Sequence, residues 1–209
     1  MMRQSRFSTF SALLLCAGFI PLLSAQKETA AQKAVRYQAA CDAGDADGCN
    51  KLAIAYQFGL GVTADDAQAT AAYAKADALL ESRCNKGEAA GCTGLGINFQ
   101  IGLGVTKDLN RAMALYRQGC AGADPAGCTN VGSLFKDGLG VPQDKAQAAA
   151  MYQKGCDGGD GNGCTKLGAM YDAADGVTLD AAHATALYQK GCTAGDPEGC
   201  YLLKHQGQK

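Results

Sequence analysis

The chain has 209 residues, 47% of them apolar and 19% charged, with 19 Lys and Arg against 20 Asp and Glu, for a formal net charge of −1. That balance offers no basic face able to displace the counterions of a phosphate backbone, so nucleic acid is excluded as an expected partner. Trp is absent and Gly numbers 28, so any core must pack small side chains closely.

Met1 to Ser11 is polar, with Arg3 and Arg6 its only charges, and Ala12 to Leu23 is almost wholly apolar before Ser24-Ala25-Gln26. A basic start, a short apolar run and small residues ahead of a cleavage point are the layout of a signal peptide, predicted over residues 1–25. The apolar run is shorter than the roughly 20 residues a membrane span needs, and no second such run follows. The reading is therefore an exported chain without a membrane span, periplasmic or secreted, processed near Ala25. Cys16, after Leu13-Leu14-Leu15, offers lipidation as an alternative, but Leu15 stands where a small residue belongs.

Beyond residue 25, ten cysteines fall in five C-x7-C pairs beginning at Cys41, Cys84, Cys120, Cys156 and Cys192 and closing at Cys49, Cys92, Cys128, Cys164 and Cys200. An even, paired set in an exported chain reads as a disulfide framework. Zinc sites favour C-x2-4-C spacing with supporting histidines, and the chain has only His183 and His205, so no metal and no cofactor is expected.

The first cysteines of the pairs are spaced by 43, 36, 36 and 36 residues, which is the period of a solenoid repeat. In one copy Cys128, Val131, Gly132 and Phe135 recur at i, i+3, i+4 and i+7, a helical stripe that ends at Gly138. Ala148, Met151 and Tyr152 make a second stripe after Pro142, so each unit is an antiparallel helix pair. The seven extra residues of the first interval fall in Ala74 to Arg83 and amount to two added turns of one second helix. Helices are predicted over 27–42, 46–58, 65–84, 89–101, 108–120, 125–137, 143–156, 161–173, 180–192 and 197–206. That makes about four full repeats in 26–209, with one flanking helix at each end. Lys204 occupies the slot of Ala53, Gly96, Gly132 and Gly168, so the last helix closes the array and a monomer is expected. Ala174-Asp175-Gly176-Val177 replaces the Gly-Leu-Gly-Val turn and is expected to be looser.

The full pattern, C-x2-G-D-x2-G-C, then Leu-Gly, an aromatic, G-x-G-V, Ala, Tyr and Gly-Cys every 36 residues, resembles the Sel1-like repeats, relatives of tetratricopeptide repeats. It is most similar to their cysteine-rich exported branch, the Helicobacter cysteine-rich (Hcp) proteins. The resemblance covers about residues 30–204. It implies an all-α fold, an α/α solenoid forming a right-handed superhelix, with disulfides Cys41–Cys49, Cys84–Cys92, Cys120–Cys128, Cys156–Cys164 and Cys192–Cys200. It also implies an adaptor role, or penicillin binding and weak β-lactam hydrolysis as described for some members.

The residues themselves favour binding over catalysis. Ser133-Leu-Phe-Lys136 is a Ser-x-x-Lys match, the only catalytic candidate, yet the Ser-Asp-Asn and Lys-Thr-Gly elements are missing, and Ser24-Ala-Gln-Lys27 shows how easily the motif arises. The Gly-Leu-Gly-Val loops follow no strand and precede no Gly-Lys-Ser/Thr, so they read as helix-ending turns rather than phosphate cradles. Asp124, Asp160 and Asp196 recur as turn and cap residues, and His183 reads as a surface residue. What varies between units is more informative: Gln57, Asn98, Gln100, Asn130, Lys136, Lys166 and Asp172 are expected at exposed positions along the concave side. A mixed-charge groove of that kind suits a protein or peptide, or a cell-wall fragment.

Overall fold

The computed structural model describes residues 27–206, so the signal-peptide reading of 1–25 and the alternative at Cys16 lie outside the described residues. The described residues form ten α-helices and no strand: α1 (Ala30–Asp42), α2 (Ala46–Phe58), α3 (Asp66–Asn85), α4 (Ala89–Ile101), α5 (Leu109–Ala121), α6 (Pro125–Asp137), α7 (Lys145–Asp157), α8 (Gly161–Ala173), α9 (Ala181–Thr193) and α10 (Pro197–His205). Each helix packs on the next, and the tightest partners are α2 with α3, α4 with α5, α6 with α7 and α8 with α9. This is the expected α/α solenoid, with α1 and α10 flanking four pairs. As the longer first interval predicts, α3 runs 20 residues where α5 runs 13.

Helix starts are written by aspartate. Asp45, Asp65, Asp108, Asp124, Asp144, Asp160, Asp180 and Asp196 all sit in extended backbone at an N-cap and accept a first-turn N–H. These caps move the starts of the second helices beyond the predicted 65, 108, 143 and 180, because the Asp itself stays outside the helix. The two exceptions are Thr29, which caps α1 in a capping box with Gln32, and Glu88, whose longer carboxylate makes no cap bond and instead accepts from Arg83 Nε at 2.8 Å.

Three close approaches explain why the repeat keeps its glycines. Gly96, Gly132 and Gly168 lie under the rings of Tyr116, Tyr152 and Tyr188; a Cβ at Gly132 would stand 2.8 Å from the Tyr152 ring. Thr93, Thr129 and Thr165 are each wedged between two glycines of the following helices, Thr129 between Gly155 and Gly163. The second glycine of each turn is left-handed and presses on the preceding repeat, Gly140 (φ 72°) against Leu109 and Gly104 (φ 67°) against Tyr73. The Gly-Leu-Gly-Val loops are therefore helix ends that join repeats. In the drifted turn the left-handed cap falls to Ala174 at φ 52°.

The five disulfides pair Cys41–Cys49, Cys84–Cys92, Cys120–Cys128, Cys156–Cys164 and Cys192–Cys200, each tying the last turn of one helix to the first turn of the next. Successive first helices also touch directly, α4 with α6, α6 with α8 and α8 with α10, closer than successive second helices come. That puts the first helices on the inner side of the curve. Among the described residues no helix is long and apolar enough to cross a membrane.

Candidate functional site

The exposed positions of the inner helices differ sharply along the array. Five and nine residues after the first-helix cysteine stand Ile54 and Phe58 in α2 and Ile97 and Ile101 in α4. The same positions carry Ser133 and Asp137 in α6 and Ala169 and Ala173 in α8. Phe58, Ile97 and Ile101 are well exposed, Phe58 at 65% and Ile101 at 56%. A run of uncovered large apolar side chains on successive helices marks an interaction site. Between α2, α3 and α4 it forms a hollow of about 410 Å³ walled by Ile54, Leu80, Gly94, Ile97 and Leu103, with Asn50 and Asn98 in its lining. A second hollow of about 700 Å³ adjoins it through Ile54 and Leu103.

The floor of the first hollow is polar, and it is built from departures. Asn50 stands where later repeats have Thr93, Thr129 and Thr165; Asn98 stands where they have Leu134 and Met170; Asp77 lies in the two added turns of α3. Asn98 Nδ2 donates to Asp77 Oδ1 at 2.7 Å, and Asn50 Nδ2 donates to Asn98 Oδ1 at 3.0 Å. Asn50 Oδ1 is buried and has no partner. Burial raises the Asp77 carboxyl above its ordinary value; the Asn98 hydrogen bond pulls it back, the Glu81 charge adds to the rise and Arg111 opposes it. Room for this group comes from Gly94, whose missing side chain leaves space for Leu80: a Cβ there would stand 2.7 Å from Leu80 Cδ2.

The residues expected to line the groove separate into two sets. Gln57 and Gln100 accept from the hydroxyls of Tyr73 and Tyr116, the former at 2.9 Å, so each ties its inner helix to the outer one. Asp172 holds the same register in the fourth repeat, where its charge, after burial, helps push the Tyr188 phenol up to about 12. Asn130, Lys136 and Lys166 are half-buried on the inner helices of the third and fourth repeats. Asn98 corrects the expectation: it is 1% exposed, not a free surface residue, because it sits on the side of α4 that faces α2 and α3. Sequence reading missed Ile54, Phe58, Ile97, Ile101, Asn50 and Asp77. Aligning the repeats column by column was the signal that could have found them.

Ser133 and Lys136 share a helix, but their surroundings are structural. Tyr152 Oη donates to Ser133 Oγ at 3.2 Å, and among the described residues no hydrogen bond joins Ser133 to Lys136. Burial is the main cause that raises the Tyr152 phenol, with Ser133 opposing it, so that hydroxyl is a donor here and not a base. His183 is exposed and meets the edge of Tyr171, ring centres 4.5 Å apart.

Comparison with known proteins agrees with this architecture. The Sel1 repeat model matches residues 46–76, 89–124, 125–160 and 161–196. Among curated proteins none matches. Among solved structures, a Sel1 repeat protein from Oxalobacter formigenes superposes with a TM-score of 0.60 at 24% identity, over 86% of this chain and 68% of that one. The protective antigen c5321 of uropathogenic Escherichia coli, described as displaying an SLR fold, gives 0.56 at 22% identity, over 83% of this chain and 44% of that one. Helicobacter pylori cysteine-rich protein B gives 0.52 at 28% identity, over 62% of this chain and 93% of that one. Four matched segments that span most of the ten helices, together with the cysteine-rich neighbour, settle the kinship: the chain belongs to the Sel1 repeat family.

Proposed function

We propose that the protein is an exported, non-enzymatic scaffold that holds a protein or peptide partner in the groove of its first two repeats. Sel1 repeats serve protein–protein interaction in general. The observation that carries the reading here is the exposure of Phe58, Ile97 and Ile101 at positions that turn small or polar in the next two repeats. Asn130, Lys136, Lys166 and Asp172 would then frame the far end of the same surface. Five disulfides support an oxidising compartment, periplasmic or extracellular, with the apolar N-terminal run as the export signal.

In-cell crosslinking from a photoreactive residue at position 97 is expected to capture a defined partner that is lost in Ile54→Glu. The same probe at position 133, one repeat further on, is expected to capture little. Equal capture from both positions, insensitive to Ile54→Glu, would refute the assignment to the first two repeats.

A further inference from the structure

We infer that the hollow between α1 and α2 binds a small aliphatic carboxylate, an acyl chain of medium length whose head group is held by the Tyr37 hydroxyl and the Lys33 ammonium. This site is separate from the hollows between α2 and α4, although Ile54 borders them all.

The repeat shows what sets α1 apart. Counting back from the cysteine near the end of each second helix, Tyr37 falls in the slot of Tyr116, Tyr152 and Tyr188, and Lys33 in the slot of Ala112, Ala148 and Ala184. α1 is therefore a second helix, and among the described residues no first helix pairs with it. The later tyrosines and alanines are at most 1% exposed beneath their first helices, whereas Tyr37 is half-buried and Lys33 is exposed. In place of that pairing lies a hollow of about 330 Å³, walled by Ala30, Ile54 and Leu60 and bordered by Tyr37, Lys33 and Lys51.

The tyrosine selects the head group. Tyr116 and Tyr152 donate their hydroxyls to Gln100 and Ser133, acceptors on the first helix of their own pair. Among the described residues no hydrogen bond engages the Tyr37 hydroxyl, so its donor is open to an acceptor from outside. Lys51 is paired with Asp47, whereas Lys33 makes no ion pair among the described residues. A hydroxyl beside an uncompensated ammonium favours an ionised acceptor, because a charge-assisted hydrogen bond is about twice as strong as a neutral one. A carboxylate answers both groups.

The walls select the tail, and Lys33 decides between a narrow chain and a helix. The walls are aliphatic, and the hollow holds about ten groups of roughly 30 Å³, the share of a water molecule in the liquid, or a chain of about ten carbons. That volume is at the low end for small-molecule sites. A partner helix would have to stand where a first helix stands in the later pairs, and those pairs close on fully buried alanines. A lysine in the alanine slot obstructs a helix backbone. Its stem lies along an acyl chain and its ammonium stays at the wet rim.

The test is titration of decanoate into the purified, disulfide-bonded protein, followed by isothermal calorimetry. One decanoate is expected per chain. Decanol, which keeps the tail and loses the charge, should bind about tenfold more weakly, and Tyr37→Phe and Lys33→Gln should each weaken decanoate about tenfold while leaving decanol unchanged. A photoreactive diazirine analogue of decanoate should label α1 or α2 at the residues that wall the hollow. No saturable binding, decanol binding as tightly as decanoate, decanoate affinity untouched by both substitutions, or label concentrated on Ile97 and Ile101 would each overturn the assignment.

Discussion

The first two repeats and the last two are built to one plan and spend their variable positions differently. In the α6 to α9 half, each recurrent residue has a packing duty: glycine under tyrosine, threonine between glycines, a left-handed glycine against the previous repeat. In the α2 to α5 half the first repeat relaxes two of these duties, although α4 and α5 keep them. Ala53 replaces the glycine under the tyrosine, Asn50 replaces the threonine, and α3 is longer by two turns. Exposed isoleucines and a directed polar floor appear in that half and not in the other. In a repeat protein the scaffold is what recurs, so a binding function is best sought where several columns of the repeat break together.

The largest test of this contrast is reduction, because the disulfides recur in both halves. Each closes a loop of about nine residues and is worth on the order of 2.5 kcal/mol. Together they supply about 12 kcal/mol, comparable with the stability of a whole domain. Excess reductant is expected to lower Tm by more than about 20 °C, followed by circular dichroism. An unchanged Tm would mean that the helical packing alone sustains the array.

Next in size is the glycine under the tyrosine. Gly132→Ala drives a Cβ to 2.8 Å from the Tyr152 ring and is expected to cost about 2 kcal/mol in denaturant melts. The reverse change in the relaxed first repeat, Ala53→Gly, should cost at most about 1 kcal/mol, through helix propensity. Equal costs would erase the distinction between the halves.

Asp77 sharpens the contrast through pH. Its carboxyl is raised in the folded state, mainly by burial, so the folded protein holds that proton more tightly than the unfolded chain. Stability from this group is therefore greatest in acid and is lost as pH rises from the ordinary aspartate value through the raised one. Asp77→Asn should melt like the parent near pH 3 and above it near pH 6. A constant difference across that range would show that ionisation of Asp77 plays no part.

The smallest effect belongs to the drifted turn. Ala174 holds a left-handed conformation that glycine adopts freely, so Ala174→Gly should stabilise by about 1 kcal/mol, or about 2–4 °C in Tm.

Much of the fold was legible because helical period, Gly-ended helices and the 36-residue spacing are local signals that recur and reinforce one another. The candidate site was legible only in part. Gln57 and Gln100 vary between repeats and therefore looked available, yet each is engaged by the tyrosine of its partner helix. Asn98 looked exposed because polar residues usually are, whereas its face of α4 is covered by α2 and α3. Period tells which residues of one helix share a side; it does not tell which neighbour covers that side.

By itself the sequence determined the number, order and pairing of the helices, the extra length of α3 and, through its family resemblance, the five disulfides, because each follows from short-range spacing along the chain. The tertiary structure alone decided that Asn50, Asp77 and Asn98, separated by 48 residues from first to last, form one directed series beside uncovered isoleucines. Their meeting depends on how successive helices cross, and crossing is set by the close approaches of glycine, alanine and tyrosine between repeats rather than by any one segment.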